Sequence, residues 1–254
     1  MACQIKSDIS AVDARESLCH SFMSNMTSFF TEKRNIYVIG GFNEEANNVV
    51  RWNMSTGNWE EVCQLSSNRS KFGSVGVEGQ LMVFGGKKGK ERVNDSEVYD
   101  IATGKWSRMG SMNKNRSGFA VIAVEETLYF IGGNDGDSIL GSVDTLNTRT
   151  GEWRRKESMH EPRNELAVAL GKNNKIYAIG GFGGRHNQPL RSAEVYDPLT
   201  DKWRSLPEMN DPRRALAAAV LADGVYAIGG FDGNAYMSSV EKYEEGQAGW
   251  CYVG

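Results

Sequence analysis

The sequence predicts an all-β fold, a propeller of five recognisable four-stranded blades, on three linked observations. A Gly-Gly doublet closing an apolar strand recurs five times, as IYVIGG, LMVFGG, LYFIGG, IYAIGG and VYAIGG, with first glycines at Gly40, Gly85, Gly132, Gly180 and Gly229. A tryptophan follows each doublet, at Trp59, Trp106, Trp153, Trp203 and Trp250. Seven positions before each tryptophan stands a large apolar residue: Trp52, Tyr99, Leu146, Tyr196 and Tyr243. A fixed period of this length marks a stacked or radial array of one supersecondary unit.

The gaps say where each unit is rigid. The large apolar residue always lies 7 before its tryptophan, and the next doublet follows 26 or 27 after it. From the second glycine to the large apolar residue the gap runs 11, 13, 13, 15 and 13. Length variation is therefore confined to one loop per unit, just after Gly-Gly, as in a scaffold that presents a binding surface.

Within a unit the pattern reads as four short strands. In the third, Ser117 to Val124 is apolar with small residues, and Thr127 to Ile131 is a buried strand ending at the doublet. A strand around Ser142 to Asn147 follows the variable loop, Thr150-Gly151 turns, and Trp153 opens the fourth strand. The turn recurs as Thr56-Gly57, Thr103-Gly104 and Thr200-Asp201; Gly and Asp tolerate the hairpin conformation that other residues resist. Short strands in fours point to a propeller. The glycines allow positive φ and close approach. Tyr and Trp, with a large apolar body and one polar group, suit the seam between sheets. These residues read as builders of blades, not as chemistry.

The bulk numbers exclude several classes. A chain of 254 residues with net charge −3 lacks the basic excess of a nucleic-acid binder. Its longest apolar run, Ala215 to Ala222, is far too short to span a membrane. The start MACQIKSDIS has no apolar core of a secretory signal. Cys3, Cys19, Cys63 and Cys251 are scattered, which reads as free thiols in a reduced, cytoplasmic protein. Five glycosylation sequons, at Asn25, Asn53, Asn68, Asn94 and Asn115, then read as chance. The three histidines, His20, His160 and His186, form no metal-binding spacing. No nucleophile elbow or phosphate loop appears, since the doublets follow strands but open no helix. The expectation is a non-catalytic module with no cofactor.

The Gly-Gly doublets, the Tyr-x6-Trp spacing, the strings EVYDIATGKW (97–106) and EVYDPLTDKW (194–203), and the segments beginning Pro162-Arg163 and Pro212-Arg213 resemble kelch repeats over residues 35 to 254. Trp52 and Leu146 depart from the tyrosine, and GQAGW departs from the Thr-Gly turn. The likeness is greatest to the kelch-like family. That resemblance implies the substrate-recognition end of a cullin-3 ubiquitin ligase adaptor, in which BTB and BACK domains precede the propeller. The 34 residues before the first unit are too few for either, so cullin binding is expected only if such domains lie upstream. An actin-associated kelch protein and a sugar-processing propeller enzyme remain as alternatives. Galactose-oxidase-type copper chemistry needs more histidines than the chain has.

Residues 1–34 form a separate N-terminal segment. Val12, Leu18, Phe22 and Met26 have roughly helical spacing. By register, Met26 to Thr31 is instead the inner strand of the first blade. Kelch-like propellers usually close six blades with a C-terminal strand, which the stretch after Trp250 does not supply. The ring is thus either five blades closed by the N-terminal segment or an incomplete ring of six.

Binding is expected on the face of the variable loops: Phe42 to Asn48, Lys87 to Asn94, Asn134 to Gly141, Phe182 to Arg191 and Phe231 to Ser238. One arginine per blade enters this face, at Arg69, Arg116, Arg163 and Arg213, the last followed by Arg214. Such a ring of guanidinium groups suits an acidic peptide, a use the family resemblance also implies. Alternatively each arginine fixes its own loop through backbone carbonyls. The expected partner residues are these four arginines with Arg185, Asn134, Asp135 and Asn234, and the aromatic anchors Phe42, Phe182, Phe231 and Tyr236. On that expectation, Arg116→Ala with Arg163→Ala weakens partner binding and leaves folding intact.

Overall fold

The structure is a computed structural model that describes residues 30–32, 35–40, 47–221 and 224–253. Among these, five antiparallel four-stranded sheets follow one another along the chain, each ordered from its first strand to its fourth. The first holds Phe30–Glu32, Asn35–Ile39, Asn48–Asn53 and Asn58–Gln64. The second holds Gly73–Val77, Gln80–Lys88, Glu91–Asp100 and Lys105–Met109. The third holds Ala120–Val124, Thr127–Ile131, Val143–Asn147 and Trp153–Lys156. The fourth holds Ala167–Leu170, Ile176–Ile179, Ala193–Asp197 and Lys202–Ser205. The fifth holds Ala217–Leu221, Gly224–Ile228, Val240–Tyr243 and Cys251–Val253. First strands of successive sheets touch, so they line the axis and the tryptophan strands lie outermost.

The strands fall where the repeat places them, with two differences: in the second blade Gln80–Lys88 and Glu91–Asp100 extend as a hairpin through most of the expected loop Lys87 to Asn94, and the third blade's inner strand starts late. The inner strand of the third blade begins at Ala120, not Ser117. Ser117 is diverted to bridge Asn134, and Gly118 takes a left-handed conformation at φ +63°. The turn glycines Gly57, Gly104 and Gly151 have φ near +70° and Asp201 lies at +53°, as the hairpins require. In the first blade, a strand at Phe30–Glu32 pairs with Asn35–Ile39. The helical reading of residues 10 to 26 lies outside the described residues.

Four apolar clusters fill the four seams between successive blades. In the third-to-fourth seam, Tyr129, Ile131 and Val143 meet Ile176, Ala178, Tyr196 and Trp203. The fourth-to-fifth seam repeats this with Tyr177, Ile179 and Val195 against Val225, Ala227, Tyr243 and Trp250. In the second, third and fourth blades the strand before the doublet thus sends alternate residues to opposite seams, the period-two rule of a strand buried on both faces. The large apolar residue pairs across strands with its tryptophan. Tyr196 and Trp203 are opposite in register with ring centroids 5.1 Å apart, and Leu146 faces Trp153 in the same way.

The doublet glycines and the arginines make the second tie between blades. The second glycine of one blade donates its N–H to the backbone oxygen of the next blade's arginine. The bonds are Gly86 to Arg116 (2.8 Å), Gly133 to Arg163 (2.8 Å) and Gly181 to Arg213 (2.7 Å). Gly132, at φ +67°, brings its α-carbon so near that an added Cβ would lie 2.4 Å from the Arg163 oxygen. That contact and the positive φ together require glycine.

Candidate functional site

The sequence-predicted ring of arginines is not on the surface. Arg69, Arg116, Arg163 and Arg213 are all buried, and each guanidinium grips its own blade. Arg163 Nη1 donates to the carbonyls of Gly180 and Ser192, both at 2.9 Å. Its Nη2 donates to Ser192 Oγ (3.1 Å) and to Glu194 Oε1 (2.9 Å). Arg213 repeats the pattern on Gly229, Ser239 and Glu241. Arg116 does so on Gly132, Ser142 and Asp144. Arg69 does so on Gly85 and Asp95, with Glu97 Oε1 at 3.1 Å. The expectation that these four contact an acidic partner is therefore corrected. Each is buried and its charge is already met by an internal carboxylate, so none presents its guanidinium to a ligand, although Arg69 Nε is left without a hydrogen-bond partner. The alternative reading, that each arginine fixes its own loop, is the one the geometry takes.

Burial pushes the Arg116 guanidinium down to about 10, with Asp144 opposing the shift. Arg163 is lowered by the same cause, opposed first by Glu194. Ion pairs of this kind cost desolvation, and breaking one side leaves a buried charge. The carboxylates also cap the incoming loops. Glu194 accepts the backbone N–H groups of His160 (2.9 Å) and Glu161 (3.2 Å), and Glu241 those of Asn210 (2.7 Å) and Asp211 (3.1 Å).

Two residues beyond each arginine, the chain is left-handed: Lys71 (φ +52°), Gly118 (+63°), Glu165 (+50°) and Ala215 (+50°). These residues are joined in blade order. Gly118 N–H donates to the Lys71 oxygen (2.7 Å), Glu165 N–H to the Gly118 oxygen (2.7 Å), and Ala215 N–H to the Glu165 oxygen (2.8 Å). Each immediately precedes an inner strand, so this chain of hydrogen bonds runs round the axis at the loop end. The Glu165 side chain crosses it, pairing with Lys71 on one side and with Arg214 Nη1 (2.9 Å) on the other.

The surface outside that ring comes from the residues after each doublet. Ser70 bridges Lys87, Ser117 bridges Asn134, Asn164 pairs with Phe182, and Arg214 bridges Phe231. Arg214, unlike its buried neighbour Arg213, is partly exposed. Its guanidinium carbon lies over the Phe182 ring at 5.6 Å and over the Phe231 ring at 5.0 Å. Tyr236, 56% exposed, stacks on Phe231 with centroids 5.1 Å apart. Beside this stack, the loops of the third and fourth blades enclose a cleft of about 510 Å³ lined by Asn134, Ser138, Asn164 and Phe182 among others. Asn164 Oδ1 is buried and has no hydrogen-bond partner.

The structure thus brings Asn134, Phe182, Phe231 and Tyr236 to one face. Arg185 is exposed at the tip of the fourth blade's loop, and Asn234 is exposed in the fifth blade's loop. Asp135 serves its own turn, accepting the N–H groups of Asp137 (3.1 Å) and Ser138 (3.0 Å). Burial pushes its carboxyl up, but these bonds and Lys114 hold it below the usual range. Asp232 does the same for Asn234 and Ala235. Phe42 lies outside the described residues. Sequence reasoning passed over Lys71, Glu165 and Asn164 and gave Arg214 no role of its own. The available signal for Arg214 was the Arg213-Arg214 doublet, in which only one side chain can occupy the buried position.

Among the described residues, no group of three or more His, Cys, Asp or Glu is placed to hold a metal, and no helix is long and apolar enough to cross a membrane. A family model of the KLHDC2/KLHL20/DRC7 kelch-repeats domain matches residues 28–230, and a model of the kelch motif matches residues 212–253. Kelch repeats build protein-binding propellers, and blades, doublets and tryptophans here follow that plan. Matched over most of its length, the chain belongs to the kelch-repeat family.

Proposed function

We propose that the chain recognises a protein partner on its loop face, as the substrate-binding propeller of a kelch-like ubiquitin ligase adaptor does. The observation that carries the reading is the stack of Phe182, Arg214, Phe231 and Tyr236 beside the cleft between the third and fourth blades. Interface energy concentrates in aromatic and arginine side chains at well-packed positions flanked by polar groups. Here Asn134, Asn164 and Ser138 supply the polar wall. Attachment to a cullin would come from BTB and BACK domains in the same polypeptide, and this propeller would choose the substrate.

Affinity purification with mass spectrometry tests it, comparing the wild type, Tyr236→Ala with Phe231→Ala, and the remote surface variant Leu199→Ala. A partner lost with the aromatic pair and kept with Leu199→Ala supports the reading. Equal recovery by all three refutes the stack as anchor. Recovery of actin filaments in place of an adaptor substrate would favour the cytoskeletal alternative.

A further inference from the structure

We infer that the second blade's hairpin is a phosphate-binding claw, which holds a phosphorylated residue of the partner at the loop face. The inference rests on the reading that this face binds a protein. The strands Gln80–Lys88 and Glu91–Asp100 run on past the doublet and close through the two-residue turn Gly89-Lys90, with Gly89 at φ +60°. A turn of this length with positive φ matches the twist of the strands it joins. In register, Lys87 is opposite Arg92 and Lys88 is opposite Glu91. Successive residues of a strand point to opposite faces, so one face of the ribbon carries two cations side by side. Opposed α-carbons stand about 4.5–5.5 Å apart. Like charges placed so destabilise a strand pair. Residues 87–92 hold four cations and one carboxylate, in a chain whose net charge is −3.

The fold does not relieve that repulsion. Among the described residues, Lys87, Lys90 and Arg92 join no ion pair, and Arg92 Nε is buried without a hydrogen-bond partner. The ribbon is nevertheless held on both faces. Lys88, on the far face, pairs with Asp95 at 2.7 Å, and Asp95 pairs with the buried Arg69 at 2.9 Å. Arg92 lies along the third blade's turn, where a Cβ added at Gly136 would be 3.9 Å from its Cδ and Nη1. The Asp135 carboxylate of that turn is 3.5 Å from Lys114 and accepts N–H groups of its own loop, so it is committed elsewhere. Lys90 is exposed at the tip. Two unmet cations one strand spacing apart match a dianion. A phosphorylated side chain brings a charge of about −1.5 to −2 and three acceptor oxygens, enough to engage the Arg92 guanidinium and the Lys87 ammonium together. A single carboxylate would leave one of the two unmet. Basic clusters are a general means of reading phosphorylated segments.

Three immobilised peptide libraries with random flanks test it: one with a central phosphoserine, one with Glu-Glu in that place and one with serine. The full chain should be retained on phosphoserine about tenfold or more above either control. Lys87→Glu should remove the excess without lowering the melting temperature, because it turns a repelling cross-strand pair into an attracting one. Arg92→Gln should remove the excess as well. Equal retention on Glu-Glu overturns the inference, since the site would then read carboxylates. Equal retention on serine overturns it too, since no anion would then be read. So does displacement by oligothymidylate at a lower phosphate concentration than by free phosphoserine peptide, which would mean a nucleic-acid surface. A Lys87→Glu protein that melts lower also overturns it, because the pair would then serve the fold. The wider reading fails separately: if Tyr236→Ala with Phe231→Ala recovers every partner of the wild type, the stack is no anchor, whatever the libraries retain.

Discussion

Trp203 Nε1 donates to the carbonyl oxygen of Glu157 across 2.9 Å and so pins the outer edge of the fourth blade to the third. Trp250 does the same to Pro207 (2.9 Å), and Trp106 reaches Cys63 Sγ (3.3 Å). The tryptophans of the second, fourth and fifth units are thus ties to the unit before, in addition to their packing on the facing tyrosine. Trp203→Ala should cost ~3–5 kcal/mol as a buried aromatic truncation. Trp59→Ala, which removes a ring that is 49% exposed, should cost within about 1 kcal/mol. Denaturant unfolding of both variants checks the contrast, and equal losses would mean that the first blade is covered on that side.

Gly132→Ala should destabilise the third-to-fourth seam. The new methyl group meets the Arg163 oxygen at 2.4 Å with φ at +67°, and no rotation of a side chain relieves a backbone clash. The loss should exceed about 1 kcal/mol, the usual scale where alanine is forced into positive φ. Gly151→Ala has a similar φ of +72° but nothing within 4 Å, so it should lose only the conformational part. The difference in melting temperature between the two isolates the close approach.

Tyr196→Phe should change how the fourth blade responds to acid. The buried Tyr196 hydroxyl donates to Asp201 Oδ1 at 2.6 Å. Burial and this bond hold the phenol in its neutral form by pushing its pKa up. Burial pushes the Asp201 carboxyl up, but the bonds from Tyr196 and from the Glu157 N–H hold it below its ordinary 3.8. A depressed carboxylate gives stability that is full above 3.8 and lost as pH falls through its folded value. Removing the hydroxyl should move Asp201 toward its ordinary value and flatten the stability curve below pH 4. Side-chain NMR titration of Asp201 in both proteins checks the direction; an unmoved carboxyl would refute the link.

The blades were legible in the sequence because their determinants are local. Gly-Gly, the seven-residue step to tryptophan and the hairpin glycines are each set by backbone geometry within one unit. The arginines were not legible, because spacing gives the position of Arg163 but not the direction of its side chain. A clue was present. Two residues before each large apolar residue stands Glu97, Asp144, Glu194 or Glu241, but the first unit has Val50 there, and Ser24 where the arginine would fall. Cation and carboxylate are absent together, which is how a structural pair behaves and not how independent ligand contacts behave. The stack of Phe182, Arg214 and Phe231 joins two blades, so no reading within one repeat could assemble it.

Tyr236→Ala should leave the melting temperature within about 2 °C of wild type, because a largely exposed ring away from the core contributes within about 0.5 kcal/mol. Its partner affinity should fall about tenfold or more, the scale of a lost hot-spot side chain. Calorimetry and a binding titration with the purified partner separate the two. A large stability loss would make the stack a structural feature and not an anchor.

The most direct test of the account is the unfolding free energy of Arg163→Ala measured by denaturant titration. Arg163 bonds Gly180, Ser192 and Glu194 inside the fourth blade and accepts the Gly133 N–H from the third. The predicted loss is ~3–5 kcal/mol, since Glu194 is left buried without its cation. An Arg163→Ala protein with wild-type stability and a missing partner would contradict the account, because the guanidinium would then belong to the binding surface.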